Sequence, residues 1–189
     1  MRGTLFIFSG PAGVGKGTVL KLALGRLSNI KYSVSCTTRS PRPNSDKEGE
    51  SYYFISEDEF RSMIKAGAFL EYARVHGHLY GTRRDFVEKT LEAGTDIVLE
   101  IDVQGAFIVK KNMPEAVSIF VKPPSMEELN RRLRGRNSES DEEQALRIRN
   151  AAGELDCADS YDYIIVNDVA ERAAEEFIKI VKSYREETI

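Results

Sequence analysis

Gly10-Pro11-Ala12-Gly13-Val14-Gly15-Lys16-Gly17-Thr18 fits the pattern GxxxxGK, and it stands between an apolar run (residues 4–9) and a helical pattern marked by Val19, Leu20, Leu22, Ala23 and Leu27. In a strand–loop–helix setting such glycines let the backbone curl until successive N–H groups point inward at phosphate oxygens. A helix opening near Lys16 adds the positive end of its dipole, and Lys16 adds a full charge for the β- and γ-phosphates. A glycine-rich tight turn is the plainer reading, but the flanking strand and helix favour a nucleoside triphosphate site. One position departs from the pattern: Gly17 follows the lysine where Ser or Thr usually ligates magnesium, and Thr18 comes one place later. Mg²⁺ is therefore expected to be held mainly by phosphates and water, near Thr18, with no certain direct protein ligand.

Working outward, residues 96–102 and 117–121 are two further apolar runs and residues 163–166 a shorter one. Continuous rather than alternating hydrophobicity predicts strands covered on both faces, as in a parallel sheet. Ser56 before Glu59, Thr82 before Asp85, Ser125 before Glu128, Ser140 before Glu143 and Asp168 before Glu171 each pair a capping side chain with an acid three residues on, predicting five helix starts. Gly67 and Gly94 stand where two of these helices should stop. The alternation predicts an α/β sandwich with ligands at the carboxyl ends of the strands. Two stretches break the rhythm. Residues 33–84 are rich in Ser, Thr, Tyr and Arg, and residues 123–150 are helical, arginine-rich and entered through Pro123-Pro124. Both read as insertions in a single domain, with a core of residues 1–32, 85–122 and 151–189.

Composition narrows the class of function. The 189 residues carry a net charge of -3, which predicts no sequence-independent grip on nucleic acid or on an anionic membrane. Arginines nevertheless cluster at residues 39–42, 83–84 and 131–136, suggesting local anion sites. The two cysteines, Cys36 and Cys157, lack CxxC spacing and read as a reduced pair. The chain enters an apolar strand at once, with no room for a signal peptide and no apolar run long enough for a bilayer. A cytoplasmic enzyme is expected. His76 and His78 read as exposed loop residues.

A phosphate loop alone names no acceptor. Residues 33–43, Ser-Val-Ser-Cys-Thr-Thr-Arg-Ser-Pro-Arg-Pro, place Arg39 and Arg42 three apart on a proline turn, a fit for a second phosphate as well as for an ordinary solvated loop. In one order with it come Gly49-x-x-Tyr52-x-Phe54, Phe69-Leu70-Glu71, Tyr80-Gly81-Thr82, Glu100-Ile101-Asp102-Val103-Gln104-Gly105, Pro123-Pro124-Ser125 and Ile165-Val166-Asn167-Asp168. Together with the phosphate loop these closely resemble guanylate kinase, over essentially the whole chain. The resemblance implies a P-loop nucleoside monophosphate kinase fold: a parallel sheet sandwiched by helices, with a GMP-binding lobe (33–84) and a lid (123–150) inserted. It implies ATP and GMP as substrates, with dGMP beside GMP, and MgATP as phosphoryl donor. It makes Arg39, Arg42, Tyr52 and Tyr80 ligands of the GMP phosphate, and Ser35, Glu71 and Thr82 guanine contacts, with Gly81 letting the backbone approach. Glu100 and Asp102 would serve substrate or Mg²⁺ water, Glu100 standing where many family members have Asp. The stretch 43–48 is about one residue longer than the family pattern.

Guanine chemistry agrees with an acid at Glu71. N1–H and N2–H₂ are adjacent donors that one carboxylate can accept together, whereas adenine lacks the 2-amino group and carries no proton on N1. Such sites discriminate strongly, because the wrong base leaves buried groups unpaired. Arg132 and Arg136 share one helical face beside Leu129 and Leu133, with Arg147 on the next helix. Taken alone, this is a charged solvated helix; by resemblance it is a lid whose Arg132, Arg136 and Arg147 act with Lys16 and Arg39 on the transferring phosphoryl group. Asn167 is similar to the family's adenine-side motif. Two other readings remain at this stage: a kinase for another monophosphate, and a non-catalytic scaffold module of the same fold, which a phosphate loop with intact glycines and lysine disfavours.

Overall fold

A computed structural model describes residues 2–43, 46–75, 77–134 and 141–186, with the side chains of 134, 141–147 and 186 left aside. In chain order its elements are β1 (Leu5–Ser9), α1 (Lys16–Leu24), β2 (Ile30–Ser33), β3 (Cys36–Thr37), β4 (Tyr53–Phe54), α2 (Glu57–Lys65), β5 (Phe69–Val75) and β6 (His78–Arg83). Then follow α3 (Arg84–Glu92), β7 (Asp96–Glu100), α4 (Val103–Asn112), β8 (Val117–Lys122), α5 (Met126–Arg134), α6 (Asp141–Leu155), β9 (Tyr163–Val166) and α7 (Ala170–Glu186).

Five strands form one sheet in the order β2-β7-β1-β8-β9, and every pairing in it is parallel. The middle strand β1 is buried at all of its positions, which is why Leu5-Phe6-Ile7-Phe8 reads as an unbroken apolar run. Alternation sends its side chains to two cores. Phe6 and Phe8 join Val19, Leu20, Leu129, Phe177 and Val181 beneath α1, α5 and α7. Leu5 and Ile7 join Val87, Leu91, Ala106 and Val109 beneath α3 and α4. Phe177 meets Phe6 and Phe8 edge-on, with ring centroids 6.2 and 5.1 Å away. An aromatic pair in this geometry contributes about 1 kcal/mol beyond its buried area.

The apolar runs predicted as strands all lie in this sheet. Its fifth strand, β2, has no such run: at the sheet edge it alternates Ile30, Lys31, Tyr32 and Ser33, and the continuous-apolar signature does not apply to it. A second sheet, ordered β4-β3-β6-β5, is built from short strands and the β5–β6 hairpin. Its own small core stacks Phe60 of α2 on Phe69, centroids 4.4 Å apart, beside Cys36 and Leu79.

Two of the expected helix starts follow the capping rule, whereas Asp168, ahead of α7, accepts from Val169 N and from Arg172, each at 2.6 Å. Ser56 Oγ accepts from Glu59 N at 3.1 Å, and Ser125 Oγ from Glu128 N at 3.2 Å. Thr82 does not cap: it lies inside β6, its hydroxyl is committed to Glu71, and α3 begins after Arg83 without a side-chain cap. His78 likewise lies in β6, not in a loop, though it is exposed; His76 and Ser140 lie outside the described residues. Helices α2 and α3 stop just before Gly67 and Gly94, as the glycines predict. Both cysteines are free. Among the described residues, no helix is long and apolar enough to cross a membrane.

Candidate active site

The carboxyl ends of β1, β7, β8 and β9 converge, and each delivers a segment of the site. From β1 the chain enters the phosphate loop, where Gly13 and Gly15 adopt φ of 80° and 96°, values that L side chains resist. Space enforces the same choice: a Cβ on Gly13 would lie 2.6 Å from Leu133 Cδ2, and one on Gly15 2.5 Å from Asn167 Nδ2. Lys16 opens α1, and its Nζ donates to Gly10 O at 2.6 Å and to Pro11 O at 3.2 Å, so the ammonium lies over the loop it is expected to serve. Pro11 and Val14 are buried, Ala12 is half-buried, and Gly17 and Thr18 are exposed at the start of the helix.

Asn167 and Arg132 brace this loop. Asn167 is buried, and its Nδ2 donates to Val14 O at 2.7 Å. Arg132 donates through Nη1 to the same Val14 O at 3.1 Å, through Nη2 to Asn167 O at 3.0 Å, and through Nε to Glu128 at 2.7 Å. An arginine expected over the phosphates thus ties α5 to the loop, and an asparagine expected near adenine holds the loop from below. Neither role has a sequence signal, because each depends on a backbone carbonyl more than thirty residues away. Arg136 lies outside the described residues, and of Arg147 only the backbone, within α6, is described.

Glu71 stands on β5 of the second sheet, only 5% exposed. Its Oε1 accepts from Thr82 Oγ1 at 2.6 Å, a contact made because the two residues are paired across the hairpin. Burial pushes the Glu71 carboxyl up to about 7; the Thr82 hydrogen bond opposes this and nearby Asp102 adds to it. Oε2 faces α4: a Cβ on Gly105 would lie 2.7 Å from it. Asp102 caps that helix, its Oδ1 accepting from Gly105 N at 2.7 Å. Gly81, between Tyr80 and Thr82, points the other way; a Cβ there would meet the Phe69 ring at 2.8 Å and Phe60 at 3.0 Å. Its smallness therefore serves the aromatic core around Phe60 and Phe69.

Arg39 lies against the rings of Tyr52 and Phe54, its guanidinium carbon 5.3 and 5.7 Å from their centroids, and Tyr52 meets Tyr80 edge-on at 5.8 Å. Arg39 is also paired with Asp46 at 2.8 Å, a residue the sequence did not single out. Arg42 is exposed and Ser35 half-buried, the latter's carbonyl accepting from Tyr53 N at 2.9 Å. Glu100, at the end of β7, accepts from Tyr32 OH at 3.2 Å and lies over Gly17, whose missing Cβ would stand 3.5 Å from Oε2. Gly17 and Glu100 are thus complementary. A Cβ at 17 would sit in ordinary van der Waals contact with the carboxylate that faces it. Glu154 of α6 is a second unforeseen acid: burial raises its pKa, Lys16 opposes that and Asp102 adds to it, so it lies near both. Among the described residues no three His, Cys, Asp or Glu side chains are grouped to hold a metal ion.

The family model described as guanylate kinase matches residues 2–184. The chain belongs to the guanylate kinase family. It is 48% identical over 185 residues to the guanylate kinase of Thermotoga maritima, covering 98% of this chain and 89% of that one. It is 47% identical to that of Thermus thermophilus, covering 98% and 83%. Among solved structures, guanylate kinase from Anaplasma phagocytophilum superposes with a TM-score of 0.80 at 36% identity, over 97% of this chain and 86% of its own. The parallel sheet with a smaller mixed sheet beside it is thus a guanylate kinase fold.

Proposed function

We propose that this chain transfers the γ-phosphoryl group of MgATP directly to GMP, yielding ADP and GDP, and that dGMP serves in place of GMP. The observation that carries the guanine assignment is the buried carboxylate of Glu71, hydrogen-bonded to Thr82 at 2.6 Å. A buried acid needs donors, and the N1–H and N2–H₂ edge of guanine supplies two side by side, with Thr82 and Ser35 assigned as further contacts to the base. The GMP phosphate is assigned to Arg39, Arg42, Tyr52 and Tyr80, which places the acceptor site in the lobe of residues 33–84. The ATP phosphates are assigned to Gly10–Thr18, with Lys16 charging the transferring group and Arg132, Arg136 and Arg147 contributed from the lid of residues 123–150.

Phosphoryl transfer needs little covalent help; it needs in-line positioning, positive charge and the exclusion of water. Mg²⁺, arriving with ATP, neutralises phosphate charge. The oxygen donors of Glu100 and Asp102 suit this hard cation through its retained waters, and Glu100 lies where a hydroxyl after Lys16 would otherwise reach. Asn167 contributes to ATP binding by holding Val14. The site of action is the cytoplasm.

An ADP-release assay across GMP, dGMP, AMP, CMP and UMP tests this reading. GMP and dGMP are expected to turn over at least about a hundred-fold better than the others, the scale at which unpaired buried polar groups discriminate. Preference for another base would remove the guanine assignment and leave the phosphotransferase.

A further inference from the structure

We propose that Asp46 is a positioning residue for GMP, fixing the Arg39 side chain and the Arg42 backbone in one arrangement before the nucleotide arrives. The proposal rests on the reading of Arg39 and Arg42 as the phosphate fork. Asp46 Oδ2 accepts from Arg39 Nη1 at 2.8 Å and from the backbone N–H of Arg42 at 2.7 Å, and Asp46 N donates back to Arg42 O at 3.3 Å. A single carboxylate oxygen thus sets the spacing of both arginine positions. Arg39 Nη1 carries two hydrogens; Asp46 takes one and Ser40 O, at 2.8 Å, takes the other. The N–H groups on Nε and Nη2 are then what this guanidinium offers a phosphate, in common with the Tyr80 side chain that also hydrogen-bonds it.

The pair is built to stay formed. The Arg39 and Asp46 side chains are only 12% and 10% exposed, and the rings of Tyr52 and Phe54 flank the guanidinium. Burial by itself would raise the Asp46 carboxyl; hydrogen bonds from Arg39 and Arg42 override it and hold it below the usual range. An arginine free to rotate has to be ordered by its ligand, at the expense of affinity, and one already held does not.

The test compares wild type, Asp46→Asn, Asp46→Glu, Arg39→Ala and the Arg39→Ala/Asp46→Asn double variant. It reads KM for GMP and for ATP, and calorimetric affinity for GMP and for guanosine, which has no phosphate. Asp46→Asn is expected to raise KM for GMP about ten-fold, the scale of one charge-assisted hydrogen bond, with KM for ATP and guanosine affinity unchanged. Asp46→Glu should retain more GMP affinity than Asp46→Asn, and Asp46→Asn should cost less in the Arg39→Ala background than in wild type, since only the Arg42 backbone contact is then left to lose. If Arg39→Ala weakens GMP but Asp46→Asn leaves it unchanged, the proposal is overturned. A lower KM in Asp46→Asn also overturns it and makes Asp46 a competing anion; a parallel loss of GMP, guanosine and ATP makes its role purely structural. If Arg39→Ala itself leaves GMP binding intact, it is the phosphate-fork reading beneath the proposal that fails.

Discussion

Replacing Glu71 by Gln should make the protein more stable and less active, in a way that only pH reveals. In the fold the Glu71 carboxyl titrates at about 7, against an ordinary value of 4.5, with burial as the leading cause. Between those two values the folded state holds a proton that the unfolded state has released, so stability falls as pH rises through that window. At 1.36 kcal/mol per unit, the full penalty above pH 7 is about 3 kcal/mol. Gln has the same shape and no charge to desolvate. Its melting temperature should therefore match wild type near pH 4.5 and exceed it by roughly 6–12 °C at pH 8. Scanning calorimetry of both proteins from pH 4.5 to 8.5 measures this, and titrating groups remote from Glu71 cancel in the difference. Catalysis should move the other way. At pH 8 the variant loses the carboxylate that accepts from guanine, and kcat/KM for GMP should drop on the order of a hundred-fold. At pH 6, where wild-type Glu71 is largely protonated, the gap should narrow; the ionisation of GMP's own phosphate is common to both proteins. A stability difference that stays constant with pH, or a variant less stable at pH 8, would refute the reasoning.

Two further outcomes follow from contacts around the site. Gly105→Ala introduces a methyl 2.7 Å from Glu71 Oε2 and 3.3 Å from Asp102 Oδ1, and should raise KM for GMP about ten-fold or more while sparing KM for ATP; Gly153→Ala, with open space around it, is the silent control. Asn167→Ala removes the buried 2.7 Å support of Val14 O and should cost about 1–3 kcal/mol in chemical denaturation, with a KM defect confined to ATP.

The phosphate loop was legible because its glycines answer to local rules, positive φ and a strand–loop–helix frame, and the structure satisfies both. Three of the four predicted apolar strands, β1, β7 and β8, were legible for a similar reason: burial on both faces writes an unbroken hydrophobic run, whereas β9 keeps its run at the sheet edge with Ile164 and Val166 exposed. What stayed hidden depends on register or on distance. Strand β2 alternates like any half-covered edge, and Thr82 satisfies the helix-start pattern while its hydroxyl turns across a hairpin to Glu71. Gly81 has a packing reason that its motif did not reveal: strand alternation points position 81 at Phe69 and Phe60, where a Cβ would not fit. Arg132 has the composition of a catalytic lid residue, and nothing within its own helix reveals that its hydrogen bonds end on Val14 and Asn167. Asp46 went unremarked for the same reason, because a carboxylate's partner is a matter of chain path.

The seat of Leu133 against Gly13 carries one consequence for engineering. Phosphate loops are often treated as portable cassettes, short enough to be exchanged between unrelated nucleotide-binding proteins. Here the loop's inner glycine is moulded to a leucine of α5, the next glycine to the amide of Asn167, and the carbonyl between them is claimed by Arg132 and Asn167 together. A transplanted loop, even one with perfect consensus, would arrive without the helix that shaped it. A working graft would have to move residues 10–18, 129–133 and 167 as one inheritance, three distant pieces of chain that behave as a single part.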